Sequence, residues 1–474
     1  MTRRTFAQNH SFRGADAPRT LFCCLIFGFW SLFGIWSLEF GLFAAVPSAA
    51  KPNIVFILAD DLGWGDLSCY GGRVATPQLD AMAREGTRFA QFYVAAPICS
   101  PSRAALITGQ FPGRWRITSY LQTRQGNRDC GQADYLSTNA PSLPRVLKAA
   151  GYATAHIGKW HLGGGRDVTN APKFAAYGYD LGYGTYESPE PHPDITATNW
   201  IWSSHDKVKR WERTRWMVDQ TLDFLRAHTN QPCFVNLWLD DVHTPWIPSK
   251  EVQDDQAQRG DTRKNLRPVL IETDRQIGRL LTSLREAGSN TLVLFLGDNG
   301  PLPPFNQERT AGLRGSKLSL YEGGIREPLI VRWPGVTKAG SISDTPIIST
   351  DYYPTILQIA GLPLRPEQHR DGISLVRLLN GEKLADRTFY WHYPHYGNQG
   401  GSPAGAVRRG NYKLIEWYED MRVELYDLKD DPGEHHDLST RKADQTEILR
   451  IALHAWRDQV RAVMPTPNSN YKPD

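Results

Sequence analysis

Four apolar runs constrain the fold of this chain more than any other feature, because each one stops abruptly at polar or charged residues. The runs lie in PNIVFILADD, GYATAHIGKWHLG, CFVNLWLDDVHTP and NTLVLFLGDNG. Uninterrupted Val, Ile, Leu and Phe are typical of strands covered on both faces, as in parallel sheets. Helical patterns lie between the runs, such as TPQLDAMAREG, LPRVLKAAG and IETDRQIGRLLTSLREAG. Strands that alternate with helices predict an α/β fold.

The polar residues after these strands are predicted to meet, because ligands of α/β sheets bind beyond the carboxyl ends of the strands. Asp60, Asp61, Asp298 and Asn299 offer hard oxygen ligands that suit Ca²⁺ or Mg²⁺. Taken singly, such residues are equally typical of turns and helix caps. Three buried carboxylates that converge would repel one another without a cation, so convergence predicts a metal site.

Basic side chains follow the same strands or lie in glycine-rich loops. They are Arg103, Lys159, His161, His243 and Lys317. Each one alone is typical of a surface lysine or a core histidine. Beside a divalent cation, however, they predict a clamp for a tetrahedral oxyanion.

The sequence pattern changes at about residue 385, from alternating strands and helices to short strand-like segments separated by turns. RTFYWHYP, AGAVRRG, YKLIEWY and RVELYDL predict a small antiparallel sheet. A helical pattern that would pack on this sheet then places five apolar residues on one face, namely Leu449, Leu453, Trp456, Val460 and Val463. We therefore expect two domains, at 51–384 and 385–474, which the chain length allows.

Residues 1–50 form a separate segment. Arginines precede an apolar run at 21–38, and the small residues PSAA follow it, which is the plan of a secretory signal. The run is also about long enough for a membrane anchor. Under either interpretation, we expect the rest of the chain to be exported, as a periplasmic, secreted or membrane-anchored protein.

Charge and cysteine content exclude several classes of protein. Residues 51–474 carry 50 basic and 48 acidic side chains, which argues against nucleic-acid binding through bulk charge. The remaining cysteines are too few for a disulfide scaffold, and their spacing suits no zinc site. They are Cys69, Cys99, Cys130 and Cys233. One disulfide bond between two of these cysteines is possible, but the sequence does not identify the pair.

The stretch PICSPSRAALITG places Cys99 two residues before a proline, with Ser102 and Arg103 close behind. CSPSRAALITG resembles the first signature of the type I, formylglycine-dependent sulfatases at every position, and GYATAHIGKWH resembles their second signature. The ADD, GDNG and GLRGSKLSLYEGGIREPLIVRWPG segments extend the resemblance over about residues 51–440. The pattern is most similar to that of arylsulfatase A and N-acetylgalactosamine-6-sulfatase relatives.

The resemblance implies a sulfuric ester hydrolase with an alkaline-phosphatase-like fold: a large mixed sheet sandwiched by helices, and a smaller C-terminal antiparallel sheet with a helix. A formylglycine-generating or equivalent maturation enzyme would oxidise Cys99 to Cα-formylglycine, and the hydrated aldehyde would be the nucleophile. Asp298 would help to position or deprotonate it. The implied ligands of Ca²⁺ or Mg²⁺ are Asp60, Asp61, residue 99, Asp298 and Asn299.

The resemblance also implies roles for the basic residues. Lys159 and Lys317 would neutralise the sulfate oxygens. His243, together with Lys317, would protonate the leaving alcohol, and His161 would take a proton when sulfate is released. Arg103 would anchor the modified side chain.

Some positions depart from the family pattern or stay ambiguous. Gln110 stands where many relatives carry Arg or Lys. Asp240 and Asp241 precede His243 where relatives often have uncharged residues, and they would contact a sugar hydroxyl or cap a turn. His156 is interpreted as a packing residue.

Export and family together predict a sulfated extracellular carbohydrate as substrate. In WHYPHYGNQGG, His392 and His395 are candidates for a sugar subsite, and a loop packed between domains is the alternative. Two rival functions remain. One is a phosphodiesterase or phosphonate monoester hydrolase of the same superfamily, and the other is a non-catalytic sulfated-glycan binding protein that keeps an unmodified Cys99.

Overall fold

The computed structural model describes residues 51–467, apart from 199, 250, 252–261, 304 and 306. The predicted signal or anchor at 1–50, with its apolar run at 21–38, lies outside the described residues. Across the described ranges, no helix combines the length and the apolar character needed to cross a bilayer.

The described residues form thirteen strands in two sheets. The strands are β1 Asn53–Ala59, β2 Thr87–Tyr93, β3 Ala153–Gly158, β4 Leu181–Gly184, β5 Cys233–Leu239, β6 Thr291–Gly297, β7 Arg326–Arg332, β8 Ser341–Ser343, β9 Ile347–Ile348, β10 Thr388–Tyr393, β11 Ala404–Arg409, β12 Tyr412–Trp417 and β13 Val423–Asp427.

Ten α-helices accompany them in the same part of the chain. They are α1 Pro77–Glu85, α2 Cys99–Thr108, α3 Arg124–Asp129, α4 Leu143–Ala149, α5 Arg213–Ala227, α6 Arg263–Glu286, α7 Glu322–Ile325, α8 Tyr352–Ile359, α9 Val376–Leu379 and α10 Ala443–Val460.

The large sheet has nine strands in the order β4-β3-β5-β1-β6-β7-β2-β8, with β9 also paired to β2. The four strands predicted from the apolar runs, β3, β5, β1 and β6, are neighbours and parallel. β7 runs antiparallel to both β6 and β2, so the sheet is mixed. The predicted α/β fold is confirmed, and the carboxyl ends of the four strands lie side by side.

Both faces of the central strand β1 are buried, as its unbroken apolar run predicts. Ile54 and Phe56 belong to one hydrophobic core, to which α2, α4 and α8 contribute. Val55 and Ile57 belong to a second core, shared with α1, α5 and α6. Helices therefore cover both faces of the sheet. Polar groups can gather beyond the ends of its strands.

The predicted C-terminal sheet is present as β10-β11-β12-β13, with antiparallel pairing throughout. α10 packs on it through buried apolar residues, namely Leu449, Leu453, Trp456 and Val460. The prediction for Val463 was wrong. α10 ends at Val460 and Arg461 turns into the left-handed region at φ 53°, so Val463 lies beyond the helix and is 51% exposed.

The small sheet shares its core with the large one. Trp391 of β10 is fully buried, belongs to the same core as Ile54, and donates from Nε1 to the carbonyl of Val94 at 2.8 Å. Lys413 of β12 is fully buried and forms ion pairs with Glu322 of α7 at 3.0 Å and with Glu434 at 2.9 Å. A boundary between two domains near residue 385 therefore stays a prediction.

Candidate active site

Three carboxylates meet where β1 and β6 end. Asp60 and Asp61 follow β1, Asp298 follows β6, and one oxygen from each lies within 4.8 Å of the others. Asn299 joins them, because its Nδ2 donates to Asp61 Oδ1 at 2.8 Å. All four side chains are fully buried. The structure thus brings the predicted hard oxygen ligands together.

Two buried oxygens of this group accept no hydrogen bond from the described residues, namely Asp60 Oδ1 and Asn299 Oδ1. Arg103 Nη2 makes only an ion-pair contact with Asp60 Oδ1, at 3.2 Å. A buried acceptor without a donor costs about 1–3 kcal/mol. Because the available ligand atoms are carboxylate and amide oxygens, the site fits a hard divalent cation such as Ca²⁺ or Mg²⁺.

Each carboxylate also has a buried cationic partner. Arg103 donates from Nε and Nη2 to Asp298 Oδ2 at 2.9 and 2.7 Å. Lys159 Nζ donates to Asp60 Oδ2 at 2.7 Å, and Lys317 Nζ donates to Asp61 Oδ2 at 2.9 Å. The formal charges of these pairs already balance. A bound dication would therefore add net positive charge, which an anionic substrate can neutralise.

Burial and nearby cations have opposite effects on the pKa of two of these carboxylates, Asp60 and Asp298. Burial raises the pKa of Asp60, but Lys159, His243 and Arg103 outweigh burial and hold the pKa well below its usual value. At Asp298 burial prevails over Arg103 and, with the neighbouring carboxylates, raises the pKa to about 8. Without a cation, the cluster therefore does not favour three ionised carboxylates.

Cys99 is the first residue of α2 and is 2% exposed. It lines a pocket of about 490 Å³, which we call the active-site pocket. Other predicted residues in its wall are Lys159, His161, His243 and Lys317. Burial raises the pKa of the Cys99 thiol in spite of the nearby lysines, so an unmodified thiol here is neutral and a weak nucleophile.

The two histidines differ in the nitrogen that carries the proton. His243 Nδ1 lies 2.6 Å from the carbonyl of Thr244, and its Nε2 lies 3.6 Å from Asp61 Oδ2. His161 Nε2 lies 3.0 Å from the carbonyl of Leu121. Because a carbonyl only accepts, His243 donates from Nδ1 and His161 donates from Nε2. Burial lowers the pKa of both rings, that of His161 to about 4.

The backbone bends sharply at three places beside the pocket. Asp61, His161 and Leu318 adopt φ angles of 56°, 54° and 70°. Few residues other than glycine occupy this left-handed region. Such conformations persist where the surrounding structure fixes them, often at functional sites.

Glu187 is a pocket residue that the sequence analysis missed. It is 6% exposed, and its Oε1 accepts from Arg166 at 2.9 Å and from the Tyr186 hydroxyl at 2.7 Å. The same carboxylate lies 3.4 Å from His161 Nε2 and 3.9 Å from Lys159 Nζ. Burial raises its pKa, but His161, Lys159 and Arg166 outweigh burial and lower the pKa to about 2. It follows β4, a strand of four residues without the apolar run that marked the other strands.

Neither His392 nor His395, the residues of the predicted sugar subsite, lines the active-site pocket. His392 Nδ1 lies 2.7 Å from the Tyr418 hydroxyl. His395 Nε2 lies 2.8 Å from Thr118 Oγ1. Both rings are thus used in packing the small sheet and its connections. The same segment reaches the pocket a few residues later, at 397–399.

Asp240 and Asp241 have structural partners. Asp240 forms a buried ion pair with Arg210 and accepts from Arg213 Nη1 at 2.7 Å. Asp241 accepts from the backbone N–H of Thr214 at 2.9 Å, near the start of α5. Of the two interpretations, these contacts favour the cap and turn over the sugar contact.

Two further sequence interpretations concern packing. Gln110 is buried and donates from Nε2 to the carbonyl of Gln368 at 2.5 Å, at the end of α2 opposite to Cys99. His156 is fully buried among aromatic rings, with Trp160 and Phe174 at centroid distances of 5.0 Å, which confirms its packing role. The four cysteines of the described residues are all free.

Comparisons with known proteins agree with this geometry. Residues 52–362 match the sulfatase family, and residues 316–460 match the C-terminal region of N-sulphoglucosamine sulphohydrolase. N-acetylgalactosamine-6-sulfatase of Rattus norvegicus is 31% identical over 461 residues, with 88% of this chain and 82% of that protein covered. Arylsulfatase A of Homo sapiens is 31% identical over 467 residues, with 88% and 89% covered. The crystal structure of Ps i-CgsB in complex with k-i-k-neocarrahexaose has the same fold, with a TM-score of 0.70 at 24% identity over 86% of this chain and 92% of that one.

The mixed sheet, with the buried acidic cluster and its cations at the carboxyl ends of the strands, belongs to a mixed α/β fold that is shared with solved sulfatase structures. The chain belongs to the sulfatase family, whose members are sulfuric ester hydrolases.

Proposed function

We propose that this protein hydrolyses sulfate esters of extracellular sulfated carbohydrates. Residue 99 would act as Cα-formylglycine, and Asp60, Asp61, Asp298 and Asn299 would hold a Ca²⁺ or Mg²⁺ ion together with that residue. One observation carries the proposal. Cys99, Lys159 and Lys317 line one pocket, and each of the two lysines also pairs with a carboxylate of the buried acidic cluster.

A bound dication would supply Lewis acidity, and the hydrated aldehyde would supply one hydroxyl as the nucleophile. Loss of the proton from its other hydroxyl would reform the aldehyde, break the carbon–oxygen bond to the sulfate and release sulfate. The remaining steps rest on the side chains of this chain. Lys159 and Lys317 each place a buried ammonium group at both a ligand carboxylate and the pocket wall. They are therefore suited to bind the sulfate oxygens and to neutralise charge that develops on them.

Arg103 has a different task. Its guanidinium is fully buried, donates twice to Asp298, and donates from Nη1 to the carbonyl of Lys159 at 2.6 Å. It does not line the active-site pocket. We infer that Arg103 holds Asp298 and the Lys159 turn in place, and that it acts on residue 99 through them.

His243 is the candidate general acid for the leaving alcohol. Its Nδ1 is occupied by a backbone carbonyl, so Nε2 is the nitrogen that can exchange a proton with the substrate. Burial lowers the pKa of this ring, whereas Asp61 opposes that shift. An anionic sulfate ester in the pocket adds further negative charge and favours the protonated ring.

His161 is the candidate proton acceptor for sulfate release. It donates from Nε2, which leaves Nδ1 as an acceptor, and Nδ1 has no hydrogen-bond partner among the described residues. With its pKa lowered to about 4, the ring is neutral at pH 7 and can take a proton. Glu187, at 3.4 Å from Nε2, would stabilise the resulting imidazolium.

The names of similar proteins support a carbohydrate substrate. They include N-acetylgalactosamine-6-sulfatase, and solved structures hold k-i-k-neocarrahexaose or D-glucosamine-2-N,6-O-disulfate. The pocket volume of about 490 Å³ is in the range of small-ligand sites. We expect sulfated sugars, rather than small aryl esters alone, to be hydrolysed.

Two measurements test this function. The first is the mass of the tryptic peptide 89–103 from protein made in its native host, where aldehyde at residue 99 is expected and thiol alone would refute the mechanism. The second is sulfate release from sulfated mono- and oligosaccharides, compared with the matching phosphate diesters. Faster turnover of the diesters would favour the phosphodiesterase alternative, and turnover of aryl sulfates alone would refute the carbohydrate assignment.

A further inference from the structure

We propose that a second cleft, separate from the active-site pocket, binds a sulfated polysaccharide chain. This cleft has a volume of about 1040 Å³. Its walls come from the segment after α2, from α4 and the loop before it, from 365–370 and from the end of α10. We call it the arginine cleft. That the ligand is a sulfated carbohydrate rests on the proposed function.

The lining of the arginine cleft is strongly basic. Its ionisable side chains are six arginines and one glutamate, Glu367. The arginines are Arg114, Arg116, Arg145, Arg365, Arg370 and Arg461. Residues 51–474 as a whole are nearly neutral, so this concentration of one sign of charge is local.

Most of this charge is uncompensated by the protein. Arg114 is the exception, because it forms a bidentate ion pair with Asp371, at 2.8 Å through both nitrogens. Among the described residues, no carboxylate lies within 4.0 Å of the other five guanidinium groups. Arg116 and Arg145 are instead held by backbone carbonyls at 3.0 and 2.7 Å. Carbonyl oxygens fix a guanidinium group in place without cancelling its charge.

Positioned guanidinium groups are suited to sulfate and carboxylate, which they bind through two parallel hydrogen bonds. Several such groups around one cleft of about 1040 Å³ favour a ligand that carries many anionic groups over a single small anion. The wall also offers the ring of Trp115 and the amides of Asn139, Gln368 and Gln459. These groups can pack against sugar rings and hydrogen-bond to hydroxyls.

The arginine cleft lies close to the active-site pocket without being part of it. α2 starts in the pocket at Cys99 and leads to Gln110 in the cleft, and its 10 residues rise about 15 Å. Arg116 lines the cleft and Tyr120 lines the pocket, and four residues of chain span at most about 14 Å. A polysaccharide that follows the surface from the cleft to the pocket would occupy the cleft while another part of it presents a sulfate ester. Binding in the cleft would raise the local concentration of that ester.

The test uses the full-length protein and two double variants with the same change of charge. Arg370→Glu/Arg461→Glu alters two exposed cleft residues, and Arg409→Glu/Arg441→Glu alters two exposed arginines elsewhere. Binding of fluorescent dextran sulfate, neutral dextran and double-stranded DNA is measured, together with kcat/KM for 4-nitrophenyl sulfate. The cleft variant is expected to bind dextran sulfate about tenfold more weakly, since two attractions become repulsions. Its turnover of the small ester should stay unchanged.

Three results would overturn the cleft proposal: dextran sulfate binding that is unchanged in the cleft variant, an equal loss in the control variant, or wild-type binding of DNA as tight as that of dextran sulfate. The last two would mean that bulk charge, and not the cleft, holds the polymer. If the protein hydrolysed no sulfate ester at all, the proposed function would fail. The binding comparison would still decide the cleft, because it does not depend on turnover.

Discussion

At the scale of single residues, Glu187 sets the charge on one side of the active-site pocket. It is the carboxylate that faces His161, Lys159 and Arg166. Without it, Arg166 would lose its ion-pair partner and His161 its nearby carboxylate, whereas Lys159 would keep Asp60 at 2.7 Å. We regard Glu187 as a positioning residue that keeps His161 and Lys159 in place between turnovers.

Replacement of this carboxylate gives a prediction with a pH signature. The folded-state pKa of Glu187 is lowered from 4.5 to about 2, so its stabilising effect is present above pH 4.5 and is lost as the pH falls towards 2. Glu187→Gln should lower the free energy of unfolding by about 3 kcal/mol at pH 7. Urea unfolding from pH 7 downwards measures this difference, which should narrow below pH 4.5. Glu190→Gln, at a half-buried neighbour in the same loop, is the control, and a pH-independent loss in Glu187→Gln would contradict the prediction.

The proton donor can be identified through the leaving group. His243→Ala should lower kcat/KM for a sugar sulfate by about 10²–10⁴-fold, because a sugar alkoxide needs a proton to leave. The loss should be much smaller for a nitro-substituted aryl sulfate, whose phenolate leaves without one. His161→Ala should affect both substrates alike, since sulfate release is common to them. An equal loss on both substrates in His243→Ala would assign the proton to another residue, with Lys317 as the next candidate.

At the scale of secondary structure, α2 carries residue 99 at its first position, and its last turn is tightly packed against neighbouring residues. All ten of its residues are buried. Gly109 ends the helix at φ 65°, and a Cβ there would lie 2.8 Å from Tyr353 Cβ and 2.9 Å from His369 Cβ. Any side chain at this position would therefore push on the whole helix and displace residue 99.

Gly288, which follows α6, offers a matched comparison, because it has φ 58° and open space where a Cβ would lie. Gly288→Ala should cost about 1–2 kcal/mol of stability, from backbone strain alone. Gly109→Ala should cost more and should also lower kcat/KM, because α2 moves. Urea midpoints and turnover of 4-nitrophenyl sulfate measure both effects. Equal stability losses with unchanged turnover would show that α2 is not held at Gly109.

The strands that could be predicted from the sequence are those whose burial on both faces requires an unbroken run of apolar residues. β1, β3, β5 and β6 are covered on both faces and read as apolar runs. β2 has neither an unbroken apolar run nor a strict alternation of polar and apolar residues, and β8 and β9 have three and two residues, so local pattern gives little signal for them. Asp60, Asp61, Asp298 and Asn299 could be placed together because parallel neighbours end at the same edge. Glu187 and residues 397–399 could not, since long-range folding alone brings their loops to the pocket.

At the scale of the whole molecule, the proposed metal site joins segments far apart in the chain. Asp61 and Asn299 are 238 positions apart yet share a hydrogen bond, because the strands that precede them, β1 and β6, pair directly. The small sheet adds a second long-range tie through Lys413 and Glu322. Loss of the proposed cation should therefore lower the stability of the folded protein as well as its activity.

Removal of divalent cations tests this dependence. Chelation with EDTA should abolish sulfate ester hydrolysis and lower Tm, because a cation present at 100 times its Kd stabilises the folded state by about 2.7 kcal/mol. Ca²⁺ or Mg²⁺ should restore both, and Zn²⁺ should not, because the ligands are hard oxygens. Asn299→Ala should raise the Ca²⁺ concentration needed for half of the Tm gain. If neither Tm nor turnover responded to EDTA, the proposed cation would be absent from the mechanism.

The 2% exposure of Cys99 bears on how active protein can be produced. The proposed oxidation of this side chain requires access to it, and the peptide around it is buried as α2 in the folded protein. Under the proposed mechanism, the proportion of active molecules would then be decided before the chain has folded. We expect recombinant preparations to keep that proportion unchanged through purification and storage, and raising the supply of the oxidising enzyme during expression to be the effective remedy.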